Sequence, residues 1–300
     1  MTGLESVLAA TIRTTTPLLL AGLGELVTER AGVINIGLEG AVIAGAFTAT
    51  VCTSLLGLTA GYAGGLVAGA ILGLLLAAFV VGLRADQIIT GTALSLLALG
   101  LTGALYRAYF GASGVSLSIP TSPALRLPGL AALPIVGTAL FDQPAMTYLA
   151  YALVPLLWWY LYRTQPGLSL RAVGEAPSAA RAAGISVHRV RAGAIVFGSA
   201  LGGLAGAVLV LAQAGTFAEG MSAGRGFIAI AIVALGRWTP GGVAVAAVIF
   251  GLATAMQYVV QALGWSVRYE LVLMLPYALT LVALVISPRS AAPAMLARSD

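Results

Sequence analysis

The sequence contains no lysine, and all 15 of its basic residues are arginine. That excludes a phosphate-binding loop, whose lysine reaches the terminal phosphates of a nucleotide, so this polypeptide is not expected to hydrolyse ATP itself. Cysteine and histidine occur once each, as Cys52 and His188. No intrachain disulfide and no His/Cys metal cluster can be built from them. A Ser-His-Asp triad would have to recruit His188, which sits among arginines with no nucleophile beside it. Charge of either sign is scarce: 8% of residues are charged, against roughly 25% in soluble domains. Regular polar–apolar alternation is missing as well, which argues against a membrane barrel. The start, Met1 to Glu5, lacks a basic region, so no cleaved signal peptide is expected.

What is present is oil. Of 300 residues, 60% are hydrophobic, and the mean hydropathy is +1.01. One aqueous core cannot hide that surplus, and several runs reach the roughly 20 residues that cross a bilayer as helix. Apolar segments fall at 6–27, 33–56, 61–83, 87–106, 146–162, 192–214, 227–235, 242–263 and 271–286. The expected fold is therefore all-α: a polytopic helical membrane protein with about nine (eight to ten) transmembrane helices, forming a single domain over 1–300. Glycine, 38 residues in all, fits this setting because small residues let membrane helices approach closely. Gly61, Gly65, Gly69 and Gly73 recur every four residues, as do Gly198, Gly202 and Gly206, and each set predicts a flat packing face.

Arginines near span ends set the topology. The stretch 163–191 carries Arg163, Arg171, Arg181, Arg189 and Arg191 against a single Glu175, so it is expected in the cytoplasm. Alternation then puts Arg30, Arg84, Arg237 and the C-terminal arginines inside and the Pro-, Gly- and Ser-rich segment 107–145 outside. Arg13 fits this scheme less well, and a broken or re-entrant 33–56 segment would move the N-terminus to the other side. The net charge of +5 reads as topology, not as nucleic-acid binding. Trp158, Trp159, Tyr160 and Tyr162 suit an aromatic belt at the headgroups. Within the basic stretch, Pro177 suits the first position of a helix and Gly184 the turn just past its end. An element of about two turns is not stable alone, so it must dock against something.

Ionisable groups inside an apolar run mark function by default. Asn35 and Glu39 share one face if their segment is helical, although its dense glycine would also let it unwind beside a cavity. The pair is expected either to line a substrate route, to pair with another helix, or to place Glu39 at the headgroups. Gln87, Thr90, Thr92 and Ser95 make a polar stripe on the fourth segment, suited to interhelical hydrogen bonds or, through Gln87, Thr90 and Ser95, to the same route. Asp86 beside Arg84 reads as a helix start.

The stretch Gly174-Glu175-Ala176-Pro177, followed by Ala180, Ala183, Gly184 and Ile185, resembles the cytoplasmic coupling-helix motif of bacterial ABC importer permease subunits. The resemblance is to the branch that moves branched-chain amino acids, ribose-type sugars and nucleosides, and within it to the shorter permease of nucleoside (simple-sugar) importers. Three further stretches support it: Pro17 through Glu29, Arg30 and Asn35 to Gly40; Asp86 to Gly91; and Gly224 to Pro240. Two positions depart from the pattern, Ala176 and Ser95, where relatives often have Asn.

The resemblance implies nucleoside import across the bacterial inner membrane, with simple sugars, branched-chain amino acids or a flavin as alternative cargo. It further implies an ATP-binding cassette subunit, a second and different permease, and an extracytoplasmic substrate-binding lipoprotein. ATP is then bound by the partner, and no cofactor by this chain. Gly174, Glu175, Pro177, Ala180, Ala183 and Gly184 would form the ATPase-coupling element at 163–191, whose arginines anchor in membrane lipid. A different class, an ion-coupled secondary transporter using Glu39, would drive flux from this polypeptide alone.

Overall fold

A computed structural model describes residues 3–111, 119–133, 137–262, 274–286 and 292–296. Parts of the 107–145 segment, residue 263, residues 271–273, Arg289 and Arg298 lie outside the described residues. The fold is helical almost throughout. α1 (Gly3–Arg30), α2 (Leu38–Leu56), α3 (Leu58–Ala77) and α4 (Gln87–Phe110) come first. A π-helical stretch, Ala78–Gly82, extends α3. Then follow β1 (Ala124–Arg126), α5 (Gly137–Phe141), β2 (Asp142–Pro144), α6 (Ala145–Arg163), α7 (Gln165–Glu175) and α8 (Pro177–Ala182). The chain closes with α9 (Val187–Val208), α10 (Arg225–Leu235), α11 (Pro240–Ala262) and α12 (Leu275–Ile286), and a second π stretch, Leu209–Ala214, extends α9.

Each of the nine apolar segments carries a helix, and among the described residues six helices are long and apolar enough to cross a membrane: α1, α2, α3, α4, α9 and α11. The count of nine is therefore not confirmed, and the lengths of the remaining helices over the described residues show why. α10 and α12 have 11 and 12 residues, about 17 and 18 Å at 1.5 Å per residue, against a hydrocarbon core of about 30 Å. α6 has 19 residues, but its tyrosines, its tryptophans and Arg163 dilute its apolarity. The all-helical expectation is also modified: β1 and β2 pair antiparallel, Leu125 opposite Gln143.

α9 and α1 form the centre, with 83% and 72% of their most apolar windows buried, while α3 and α4 are peripheral at 28% and 33%. α1 runs unbroken through the Arg13–Thr16 interruption because its threonines bond back to their own helix. Thr11 Oγ1 donates to Val7 O at 2.8 Å and Thr15 Oγ1 to Thr11 O at 2.7 Å. Thr14 Oγ1 also reaches across to Gly251 O on α11, at 2.7 Å.

α9 presents glycine on two faces. A Cβ on Gly198 would lie 2.7 Å from Gly24 O, and one on Gly206 would lie 2.7 Å from Ala46 N, so this face packs on α1 and α2. Gly202 faces Leu38 at the start of α2. Gly203 lies on another side, where it meets Gly65 and Gly69 of α3. In the α3 ladder, a Cβ on Gly73 would come within 2.8 Å of Ser199 Cβ, whereas Gly61 faces Thr53 of α2.

Candidate functional site

Between α1 and α2 the chain is not helical over residues 31–37. After Arg30 it turns back, and Asn35 N donates to Glu25 Oε1 at 2.9 Å. Asn35 Nδ2 donates to Ser199 Oγ at 2.8 Å. Ser199 lies 12 residues beyond Val187 in a helical run of 28 residues, about 18 Å along one of about 42 Å. The unwound backbone thus re-enters the middle of the helix bundle.

Backbone groups at that depth need partners inside the protein, and α4 supplies them. Gln87 Oε1 accepts from Ile34 N at 3.1 Å. Ser95 Oγ donates to Ile36 O at 3.0 Å and accepts from Gly40 N at 3.3 Å. Thr90 is half-buried in the first turn of α4, which starts at Asp86, whose Oδ1 accepts from Ile88 N and Ile89 N at 2.9 Å each.

Glu39 stands in the first turn of α2 and reaches a different helix. Its Oε1 accepts from Gly224 N at 2.9 Å and its Oε2 from Gly226 N at 2.7 Å. The carboxylate thereby caps the N-terminus of α10, whose first amides have no partner within their own helix and carry a partial positive charge. Asn35 and Glu39 do not share a helix face, because Asn35 precedes the first turn of α2. The structure brings Asn35, Gln87 and Ser95 together around the unwound segment and directs Glu39 to α10.

Sequence reasoning missed a second polar layer. Glu25 and Glu29 are four residues apart on α1 and fully buried, at 0% and 1% exposure. Trp238 Nε1 donates to Glu29 Oε2, and Arg30 Nε donates to Trp238 O at 2.8 Å. Arg237 and Trp238 hold left-handed backbone angles, φ 52° each, so this buried tryptophan is fixed from both its ring and its carbonyl. The signal for Glu25 and Glu29 was the rule that singled out Glu39, an ionisable group inside an apolar run. Its partner at position 238 is too distant in sequence to be read.

The basic stretch 163–191 is mostly helix. Thr164 starts α7, accepting from Gly167 N at 3.2 Å. α8 spans Pro177–Ala182, and Ala176 before it makes no side-chain cap. Gly184 adopts φ +81, and Ile185 N donates to Ala180 O at 2.9 Å. The six motif residues divide: Gly174, Pro177 and Ala180 are buried, while Glu175, Ala183 and Gly184 are exposed. Val173, Ala180 and Val187 form a small core of their own, which docks this element on its own chain. Gly174 O accepts from Met295 N at 3.2 Å, and Glu175 Oε2 accepts from Ala294 N at 3.2 Å. Residues 292–296 therefore strap the junction of α7 and α8.

A small cleft at Arg13, Thr16, Thr147 and Gln213 has room for about one water. Among the described residues, no group of three or more His, Cys, Asp or Glu side chains is placed to hold a metal.

The branched-chain amino acid transport system / permease component family matches residues 7–284. The chain belongs to this family. Among curated relatives of this permease, TsgC13 of Haloferax volcanii, named provisionally as a glucose ABC transporter permease protein, is 40% identical over 86% of the chain and 78% of its own length. The guanosine ABC transporter permease protein NupQ of Bacillus subtilis is 35% identical over 94% of the chain and 91% of its own length. The nucleoside ABC transporter permease protein NupC of Lactococcus lactis is 32% identical over 94% and 92%. No solved structure matches the chain. The permease is a multi-pass membrane subunit of the ABC transporter class.

Proposed function

We infer that this permease imports nucleosides, as one of two different permease subunits fed by an extracytoplasmic substrate-binding lipoprotein and driven by a separate ATP-binding subunit. The observation that carries the cargo is the near full-length match to two relatives whose names specify guanosine and nucleoside. Simple-sugar import is the second reading, favoured by the higher identity to TsgC13.

The exposed side of the short α8 element, with Glu175, Ala183 and Gly184, is the surface offered to the ATPase. Gly174, Pro177 and Ala180 are its anchors, and they tie any movement of α8 to α7, α9 and the end of α1. Residues 163–191 then lie on the cytoplasmic side and 107–145 outside, in a bacterial inner membrane. Asn35, Gln87 and Ser95 act on cargo by holding the unwound 31–37 segment open to a route that passes beside this chain. Glu39 holds α10 against the same route. Thr90 lies at the mouth of α4. The peripheral α3 and α4, with most of their surface uncovered, face lipid and the second permease.

Competition uptake in cells carrying all subunits separates the two cargo readings. Unlabelled guanosine in excess is expected to abolish uptake of labelled nucleoside, while glucose leaves it unchanged. Uptake of glucose that nucleosides do not compete would reverse the assignment.

A further inference from the structure

Three arginines gather around two aromatic rings where α1 and α6 end beside α7. Arg30 Nη2 donates to Tyr162 Oη at 3.4 Å, and the Arg171 guanidinium carbon lies 4.9 Å from the centre of the same ring. Arg163 sits 5.7 Å from the ring of Trp158, whose centroid is 6.1 Å from that of Tyr162. Like charges so close repel, yet among the described residues none of the three is paired with a carboxylate. Glu29, the neighbour of Arg30, is turned inward to Trp238. Arg171 Nε is buried and has no hydrogen-bond partner. The ring beneath Arg171 stabilises its charge, but it does not satisfy a donor in the guanidinium plane.

We propose that this cluster is a binding site for the phosphate group of an anionic glycerophospholipid. A guanidinium fork matches phosphate oxygens two at a time, and such a group, met at the outer guanidinium nitrogens, would neutralise the cluster at once. Depth selects the lipid as its source. Trp158 and Trp159 are 47% and 55% exposed and stand with Tyr162 in the aromatic belt, which lies at headgroup level. The site does not depend on which cargo the permease carries.

Native mass spectrometry of the full-length protein from detergent micelles, titrated with phosphatidylglycerol or phosphatidylcholine, reads the site directly. A parallel thermal-shift titration compares inorganic phosphate with chloride at equal ionic strength. Wild type is expected to retain phosphatidylglycerol about tenfold more tightly than phosphatidylcholine. Arg171→Gln should lose most of that preference, Arg171→Lys should keep part of it, and Arg126→Gln, in the exposed β1, should keep all of it. A stabilisation by millimolar phosphate that Arg171→Gln removes, with equal retention of the two lipids, assigns the same site to a soluble phosphate and overturns the lipid source. Equal retention of both lipids without a phosphate effect in wild type overturns the site, even if Arg171→Gln does not fold. So does a phosphatidylglycerol preference that survives Arg171→Gln.

Discussion

Buried polar residues in this permease work in pairs that cross between helices, and the cost of losing one partner follows from burial. Trp238→Phe keeps a ring in place but removes the indole N–H that donates to Glu29 Oε2. Leaving that oxygen unpaired in the interior costs about 1–3 kcal/mol, so the midpoint of thermal unfolding in nanodiscs should fall. An unchanged midpoint would show that the Trp238–Glu29 contact carries no stability. At Glu39, Gln keeps one acceptor oxygen for α10 and loses the charge. Glu39→Gln is expected to cost about 1 kcal/mol and Glu39→Ala more, with hydrogen exchange at Gly224 to Ile228 rising in that order. Equal protection in all three proteins would refute the capping role. If Glu39 served a coupling ion instead, exchange at α10 would not be where the substitution registers.

At the scale of elements, α9 is gripped on two faces by backbones that only glycine admits. A side chain at Gly69 would overlap Ser199 O of α9, and overpacking of this kind costs about 1–3 kcal/mol. Gly100 of α4 has open space around it. Gly69→Val should therefore destabilise the fold while Gly100→Val, on an exposed face, changes the unfolding midpoint little. A similar loss at both would mean that helix propensity rather than close approach explains the glycines. The strap at 292–296 belongs to the same scale: removing residues 292–300 should speed exchange at 174–185, while exchange in α9 beyond Ser199 stays as it was.

The helices were legible because 20-residue apolar runs admit little else in a bilayer, and α8 because Pro177 and Gly184 punctuate it. α7 was hidden by its short length and by polar residues that mask the buried Leu170 and Val173. Strands of three residues, β1 and β2, are too short to show alternation. Glycine density in 31–37 allowed unwinding as one outcome. The partners of Asn35, Gln87 and Ser95 became visible only once α1, α4 and α9 were packed, and so did the inward turn of Pro177 and Ala180.

For the whole molecule, a central α1–α9 pair carries an unwound re-entry on one side and the small α7–α8 platform at its end. α3 and α4 are peripheral, with 28% and 33% of their most apolar windows buried. The buried half of α8 makes the platform part of the bundle, so on the proposed function a push on its exposed half would pass to helices that hold the re-entry. Transport should therefore depend on that exposed half and on a separate ATPase. The decisive measurement is uptake of labelled guanosine into proteoliposomes that contain both permeases, the binding lipoprotein and the ATP-binding subunit. ATP-dependent uptake is expected with wild type, together with its loss in Ala183→Trp, at an exposed position of the same face, at unchanged permease folding. Flux that persists without the ATP-binding subunit, or normal ATP-driven uptake in Ala183→Trp, would contradict the account.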